Sequence, residues 1–201
     1  IIAVNDTSIA GVKMKNSGIM KRLRGPKGTD VDVRVLRKAG ASADTIDFRI
    51  TRDDIPIHSV DAAYMADGKT GYIRLNKFAA ETRKEIETAL RDLRRQGMDR
   101  LILDLTDNGG GYLNAAVEIL GELLDPGQLT VYTEGRMSPR FDHEARPYGI
   151  DPLFNKGRVA VMVNQYSASA SEITSGAIQD WDRGVVVGRR TFGKGLVQRP
   201  F

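Results

Sequence analysis

Residues 158–198 read RVAVMVNQYSASASEITSGAIQDWDRGVVVGRRTFGKGLVQ, and the reading of this stretch decides the fold. Val159 to Val163 is an apolar run bounded by turn residues, which predicts an interior strand. A tight polar turn follows, then a helix from about Ser169 to Trp181. Val185 to Val187 predicts a second buried strand. Just after it a lysine stands between two glycines, Gly193-Lys194-Gly195.

Two features are unusual for plain scaffold. Small hydroxyls alternate with alanines at the helix entrance (Ser167, Ala168, Ser169, Ala170, Ser171), and the glycine-flanked lysine follows a strand. A serine on a strand-to-helix bend is well placed as a nucleophile, because the first helical N–H groups and the positive end of the dipole stabilise an oxyanion. Serine also needs a base. The chain has two histidines, His58 and His143, and neither lies in a triad context. A lysine can serve if burial lowers its pKa from about 10.4 to roughly 7–8, so Lys194 is expected to be substantially buried. A lone serine at a helix start is by default an N-cap, and Ser167 and Ser171 are read as caps or turn formers. A lone lysine is by default solvated. The combination at this spacing carries the chemical reading.

The pattern S-A-S-A-S-E, a Q-D pair and T-F-G-K-G-x-V-Q, unbroken here, resembles the catalytic core of the C-terminal processing peptidases, also called tail-specific proteases. The resemblance implies that Ser169 is the nucleophile, Lys194 the general base and Gln198 the residue that orients the lysine. On an extended strand positions 194 and 198 would share a face. Asp180, from the Q-D pair, matches a family aspartate read as structural support. The segment Thr106-Asp107-Asn108-Gly109-Gly110-Gly111 matches a D-L-R-x-N-G-G-G-type loop, with Thr106 where the family often has arginine. That loop implies an oxyanion N–H from Gly111 or Gly110, the other coming from Ala170.

The implied activity is serine endopeptidase cleavage near the C-termini of proteins through an acyl-enzyme, without metal or organic cofactor. The implied fold is α/β, a layered core of crotonase- or Clp-protease-like β-β-α units preceded by a partial PDZ-like segment. A bacterial cell-envelope or periplasmic location, protein substrates held by their C-terminal tails, and a homo-oligomer belong to the same set of expectations. The alternative is a non-proteolytic ligand-binding or scaffold relative on the same fold, against which intact Ser169, Lys194 and Gln198 argue.

A rival motif overlaps the lysine. Gly188 to Lys194 satisfies G-x-x-x-x-G-K after a strand, but Gly195 stands where a phosphate loop needs Ser or Thr. Leu196 to Pro200 is also a poor helix opening, so nucleotide binding fails on both counts.

Composition bounds the rest. The 201 residues carry 30 basic and 26 acidic side chains, net +4, with the signs interspersed and few aromatics, which gives nucleic-acid binding little support. No apolar run is long enough to span a membrane, and none of these residues reads as a signal peptide. The absence of cysteine excludes disulfides and thiolate zinc sites.

In chain order, Ile1 to Asp6 predicts a strand entering a turn, about Lys15 to Leu23 a helix, and Val31, Val33, Val35 a half-buried strand. Ile46, Phe48 and Ile50 predict another. The order I-I-A-V-N-D…L-R-G-P-K-G-T-x-V-x-V-x-V resembles the C-terminal half of a PDZ domain, which holds a peptide tail by strand addition. Residues 1–38 are therefore expected to be half a module with an incomplete groove, 39–70 a connecting strap with Asp54-Ile55-Pro56-Ile57 as strand edge or linker, and 71–201 the peptidase core. Both ends read as truncations of a longer protein. Within the core, Gly71 to Leu75 and Leu101 to Leu105 predict strands. Glu81 to Arg95 predicts an amphipathic helix burying Ile86, Ala89, Leu90 and Leu93, and Ala116, Leu120, Leu123 and Leu124 mark another. Strands alternating with helices predict a mostly parallel sheet. Residues 134–157, with three prolines, read as a long loop containing His143.

Overall fold

The computed structural model describes residues 1–40, 42–54 and 58–198. The chain divides into two compact units, Ile1–Ile57 and His58–Phe201.

In the first unit, β1 (Ala3–Val4), β2 (Thr7–Ser8), β3 (Asp30–Ala39) and β4 (Ser42–Thr51) form an antiparallel sheet in the order β2-β1-β3-β4, with α1 (Asn16–Leu23) between β2 and β3. The alternation of β3 sends Val31 and Val33 into a small core with Val4 and Ile9, on which Ile19 and Leu23 of α1 pack. Asp32 and Arg34 of β3 face water and pair across the strands: Arg34 holds Asp47, and Arg49 of β4 holds Asp32, each through two hydrogen bonds. The half-buried face expected for β4 is not formed. Phe48 and Ile50 oppose Val33 and Val31, yet remain 41% and 49% exposed and are not among the apolar residues packed on that core.

The expected strap is divided between the units. Residues 42–51 are β4 of the first sheet, and residues 60–65 are β5 of the second. Ile55, Pro56 and Ile57 of the expected linker lie outside the described residues.

The second unit is an α/β layer structure. Its sheet has the order β11-β10-β7-β6-β5: β5 (Val60–Met65), β6 (Thr70–Leu75), β7 (Arg100–Asp104), β10 (Arg158–Val163) and β11 (Gly184–Gly188). β6, β7, β10 and β11 run parallel, and β5 is an antiparallel edge. Between them run α2 (Thr82–Arg95), α3 (Leu113–Leu123) and α4 (Ala170–Asp180). Ile73, Leu75, Leu101, Leu103, Val159, Val161 and Val163 alternate onto one sheet face. There they form a single core with Ile86, Leu90 and Leu93 of α2, Ile119, Leu120 and Leu123 of α3, and Ala177 and Ile178 of α4.

Two expectations are corrected here. β11 is not buried: it is the sheet edge, and Val185 and Val187 point to the face without helices, 61% and 53% exposed. Nor is 134–157 one long loop. β8 (Leu129–Gly135) and β9 (Ser138–Glu144) form a hairpin, tied by cross-strand contacts such as Thr130 Oγ1 donating to His143 O. The rest, 145–157, is pinned by buried Glu122, whose carboxylate accepts the N–H groups of Tyr148 and Leu153.

Candidate active site

β7 and β10 are parallel neighbours, so the loops after them leave the same end of the sheet, where open α/β folds place ligands. A set of hydrogen bonds joins the two loops. Asn164 Nδ2 donates to Asp107 Oδ1 at 2.8 Å, and Asp107 N–H returns a bond to Asn164 Oδ1 at 3.0 Å. Ser167 Oγ donates to Leu105 O, Ser171 Oγ to Asn108 O, and Ala168 N–H to Asn108 O. Ser167 is thus a turn former that also reaches across. Ser171 serves as a cross-loop tie and not as a cap.

Ser169 stands at the N-cap of α4 with φ +56° and ψ −112°, a backbone that L residues rarely adopt. The bend directs it into a cleft of about 560 Å³ whose walls include Ala79, Tyr112, Val131 and Ile173, and into which Lys194 and Gln198 also project. Ser169, Lys194 and Gln198 thus line one cleft. Ser169 Oγ and Lys194 Nζ form no hydrogen bond, and Lys194 is exposed, contrary to the burial expected of it. The physical reason lies at Gly188, whose φ of +131° and close approach to Val163 O turn the chain off the sheet edge. Residues 190–198 then pair with no strand among the described residues, so the shared strand face expected for 194 and 198 is not formed and solvent reaches their outer side.

What holds that segment is a series of single bonds. Arg189 N–H donates to Val163 O at 3.1 Å and Phe192 N–H to Ser167 O at 3.0 Å. Gly193 and Lys194 N–H donate to the carboxylate of Glu172, at 2.6 and 2.9 Å, and that carboxylate also accepts Ser169 N–H at 2.8 Å. Burial pushes the Glu172 carboxyl up, but the hydrogen bonds from Lys194, Thr191, Gly193 and Ser169 outweigh it and hold the group below the ordinary glutamate value.

The glycine loop supplies the third component. Gly110 has φ +95° and packs on Ala168 and Ser169; Gly111 has φ +147° and lies against the Phe78 carbonyl. A Cβ fits at neither. Gly110 N–H is spent on Asn108 Oδ1 at 2.9 Å, which removes Gly110 as an oxyanion donor. Gly111 N–H and Ala170 N–H meet no acceptor among the described residues; Gly111 borders the cleft with Ser169, and Ala170 follows Ser169 as the first residue of α4. Behind the loop, buried Asp104 accepts Tyr72 Oη at 2.6 Å and Thr106 N–H at 2.8 Å, with Arg74 3.7 Å away. Burial raises its carboxyl, and those partners bring it net below the usual aspartate range. Arg74, from β6, also lies near Asp61 and Asp107, so the cation beside the loop comes from the neighbouring strand and not from position 106.

The peptidase S41 family model matches residues 69–201. The chain belongs to peptidase family S41. It is 40% identical to the carboxyl-terminal-processing protease of a Picosynechococcus species, covering 96% of this chain and 46% of that protein. With the carboxyl-terminal-processing protease of Synechocystis it shares 41% identity over 90% of this chain and 41% of that one. Among solved structures, the photosystem II D1 C-terminal processing protease superposes with a TM-score of 0.62 at 30% identity, over 98% of this chain and 53% of that one. The chain thus spans less than half the length of the two curated relatives.

Within this S41 domain the other expected residues are set apart. Asp180 is the exposed last residue of α4, and the 11-residue helix puts it about 16 Å along the axis from Ser169. It lines a second, smaller cleft with Trp181. His58 lies 3.6 Å from Glu85, and His143 packs edge-on against Phe141 on β9; neither borders the Ser169 cleft. Sequence reasoning gave no role to Asn108, Asn164 or Glu172. Only Glu172 carried a local signal, three residues after an N-cap serine.

Proposed function

We propose that this S41 domain is a serine endopeptidase that cleaves protein substrates near their C-termini with a Ser169–Lys194 dyad. The observation that carries the reading is the convergence, in one cleft, of a serine on a strained helix-entry bend, a lysine, and the unpaired N–H of Gly111.

Ser169 Oγ attacks the scissile carbonyl carbon while its proton passes to Lys194 Nζ. The oxyanion accepts Gly111 and Ala170 N–H, which are fixed before the charge develops. Collapse breaks the C–N bond, Lys194 returns the proton to the leaving amine, and water clears the ester by the same route. A peptide across the cleft covers Lys194, so the desolvation that the base needs arrives with the substrate. Gln198 orients the lysine and Asp180 supports the end of α4. The residue 1–38 segment as half of a PDZ-like module, capture of substrate tails, homo-oligomer formation and a bacterial cell-envelope or periplasmic location belong to the same reading, supported by family membership.

The test is cleavage of an unfolded protein by wild type, Ser169→Ala, Lys194→Ala and Gln198→Ala in the full-length enzyme. Loss of cleavage in the first two with the fold retained is expected. Equal cleavage by all four would overturn the reading.

A further inference from the structure

The Ser169 turn and the Lys194 segment reach the cleft from different parts of the chain, and their side chains do not touch. Something must therefore set the distance between them. Their backbones share one atom: Glu172 Oε2 accepts Ser169 N–H at 2.8 Å and Lys194 N–H at 2.9 Å, while Oε1 accepts Gly193 N–H at 2.6 Å. The Thr191 hydroxyl adds a fourth donor. We propose that Glu172 is the positioning residue that sets the place of Lys194 relative to Ser169, acting through the backbone of both. The proposal rests on the peptidase reading above.

Helix capping alone does not account for these contacts. A capping box needs the Glu172 carboxylate only for the N-cap N–H, that of Ser169. The bonds from Gly193, Lys194 and Thr191 are surplus to it, and they come from the segment that has no strand partner. Four donors on one carboxylate also define the chemistry required. An ionised carboxyl is acceptor-only with two oxygens, whereas glutamine has one acceptor and would turn an NH₂ toward an N–H donor. Aspartate keeps the charge but is one methylene too short to reach both amides. Both substitutions should therefore release the lysine segment while α4 stays folded.

The experiment uses the full-length enzyme as wild type, Glu172→Gln and Glu172→Asp. Three quantities are read: kcat and KM on a peptide substrate, the rate of Ser169 acylation by a fluorophosphonate, and amide hydrogen exchange at Gly193, Lys194 and Ile178. Expected is a fall in kcat and acylation rate on the order of 10²-fold, the cost of misplacing a reacting group by about 1 Å. KM should be unchanged, with protection lost at Gly193 and Lys194 and kept at Ile178. Wild-type kcat in Glu172→Gln would overturn the proposal, as would loss of Ile178 protection in step with activity, which marks a purely structural role. Fast exchange at Gly193 and Lys194 in wild type would overturn it without any variant. Failure of wild type to cleave or to acylate would instead sink the peptidase reading, and the exchange data would still decide on the clamp.

Discussion

Gly110 N–H donates to Asn108 Oδ1 at 2.9 Å, and this bond leaves Gly111 as the loop's free donor toward the Ser169 cleft. Asn108 is fully buried and also donates Nδ2 to Leu75 O at 2.7 Å. Asn108→Ala removes the partner of the part-buried Gly110 N–H and a donor to the buried Leu75 O. A loss of about 2 kcal/mol or more is expected in urea unfolding, together with loss of cleavage.

Ser169 stores strain that its neighbours do not. A residue held in such a region costs about 1–3 kcal/mol, whereas glycine adopts it freely at an unfolded-state entropy cost of about 0.4–1 kcal/mol. Ser169→Gly is therefore expected to melt a few degrees above wild type while losing cleavage. Ser171→Ala, which removes the tie to Asn108 O, should melt lower. Calorimetry on the three proteins checks the order.

Gly111→Ala has no place for its methyl group, since the Cβ would overlap the Phe78 carbonyl and φ is +147°. The variant must move the loop. Acylation of Ser169 is expected to fall by roughly 10²–10³-fold, the usual effect of removing one oxyanion donor.

Acid should weaken the fold through two carboxyls. Asp104 and Glu172 both titrate below their ordinary values in the folded protein. Between the folded and ordinary values the unfolded chain binds more protons, so stability rises with pH there. The contribution is complete above about pH 5 and is lost as pH falls through the folded values. Tyr72→Phe removes the 2.6 Å bond to Asp104 and should flatten this dependence. Urea midpoints from pH 3 to 7 measure it; an equal slope in the variant contradicts the assignment.

Position on the sheet separates two valines that look alike in sequence. Val161→Ala empties part of the core and is expected to cost about 2 kcal/mol. Val187→Thr, on the open face of the edge strand, should change stability by less than about 0.5 kcal/mol.

That contrast also marks how far the sequence could be read. The helices around Ile86, Leu90 and Leu120 and the strands at Ile73, Leu103 and Val161 follow from local periodicity, and the structure has them. Ser169, Lys194 and Gln198 stand out in the sequence because a specific pattern runs without a gap, and the structure lines one cleft with all three. Burial of Val185, Val187, Phe48 and Ile50 was not legible, since an apolar run states that a strand exists and not whether another layer covers it. The burial expected of Lys194 came from the needs of the chemistry. The turn at Gly188 decides otherwise. Asn108, Asn164 and Glu172 were hidden for another reason: each acts on a partner far away in the chain, and local pattern does not encode that.

Asp107 and Asn164 lie 57 positions apart, and Asn108 and Ser171 63, yet their bonds hold together the two loops beside the Ser169 cleft. On a ribosome adding about 5–20 residues per second, the glycine loop emerges some seconds before the serine turn that it must join. On the proposed peptidase reading, the nascent chain therefore carries no hydrolytic centre while its early elements pair, and it becomes able to cut only as its own folding closes around the cleft.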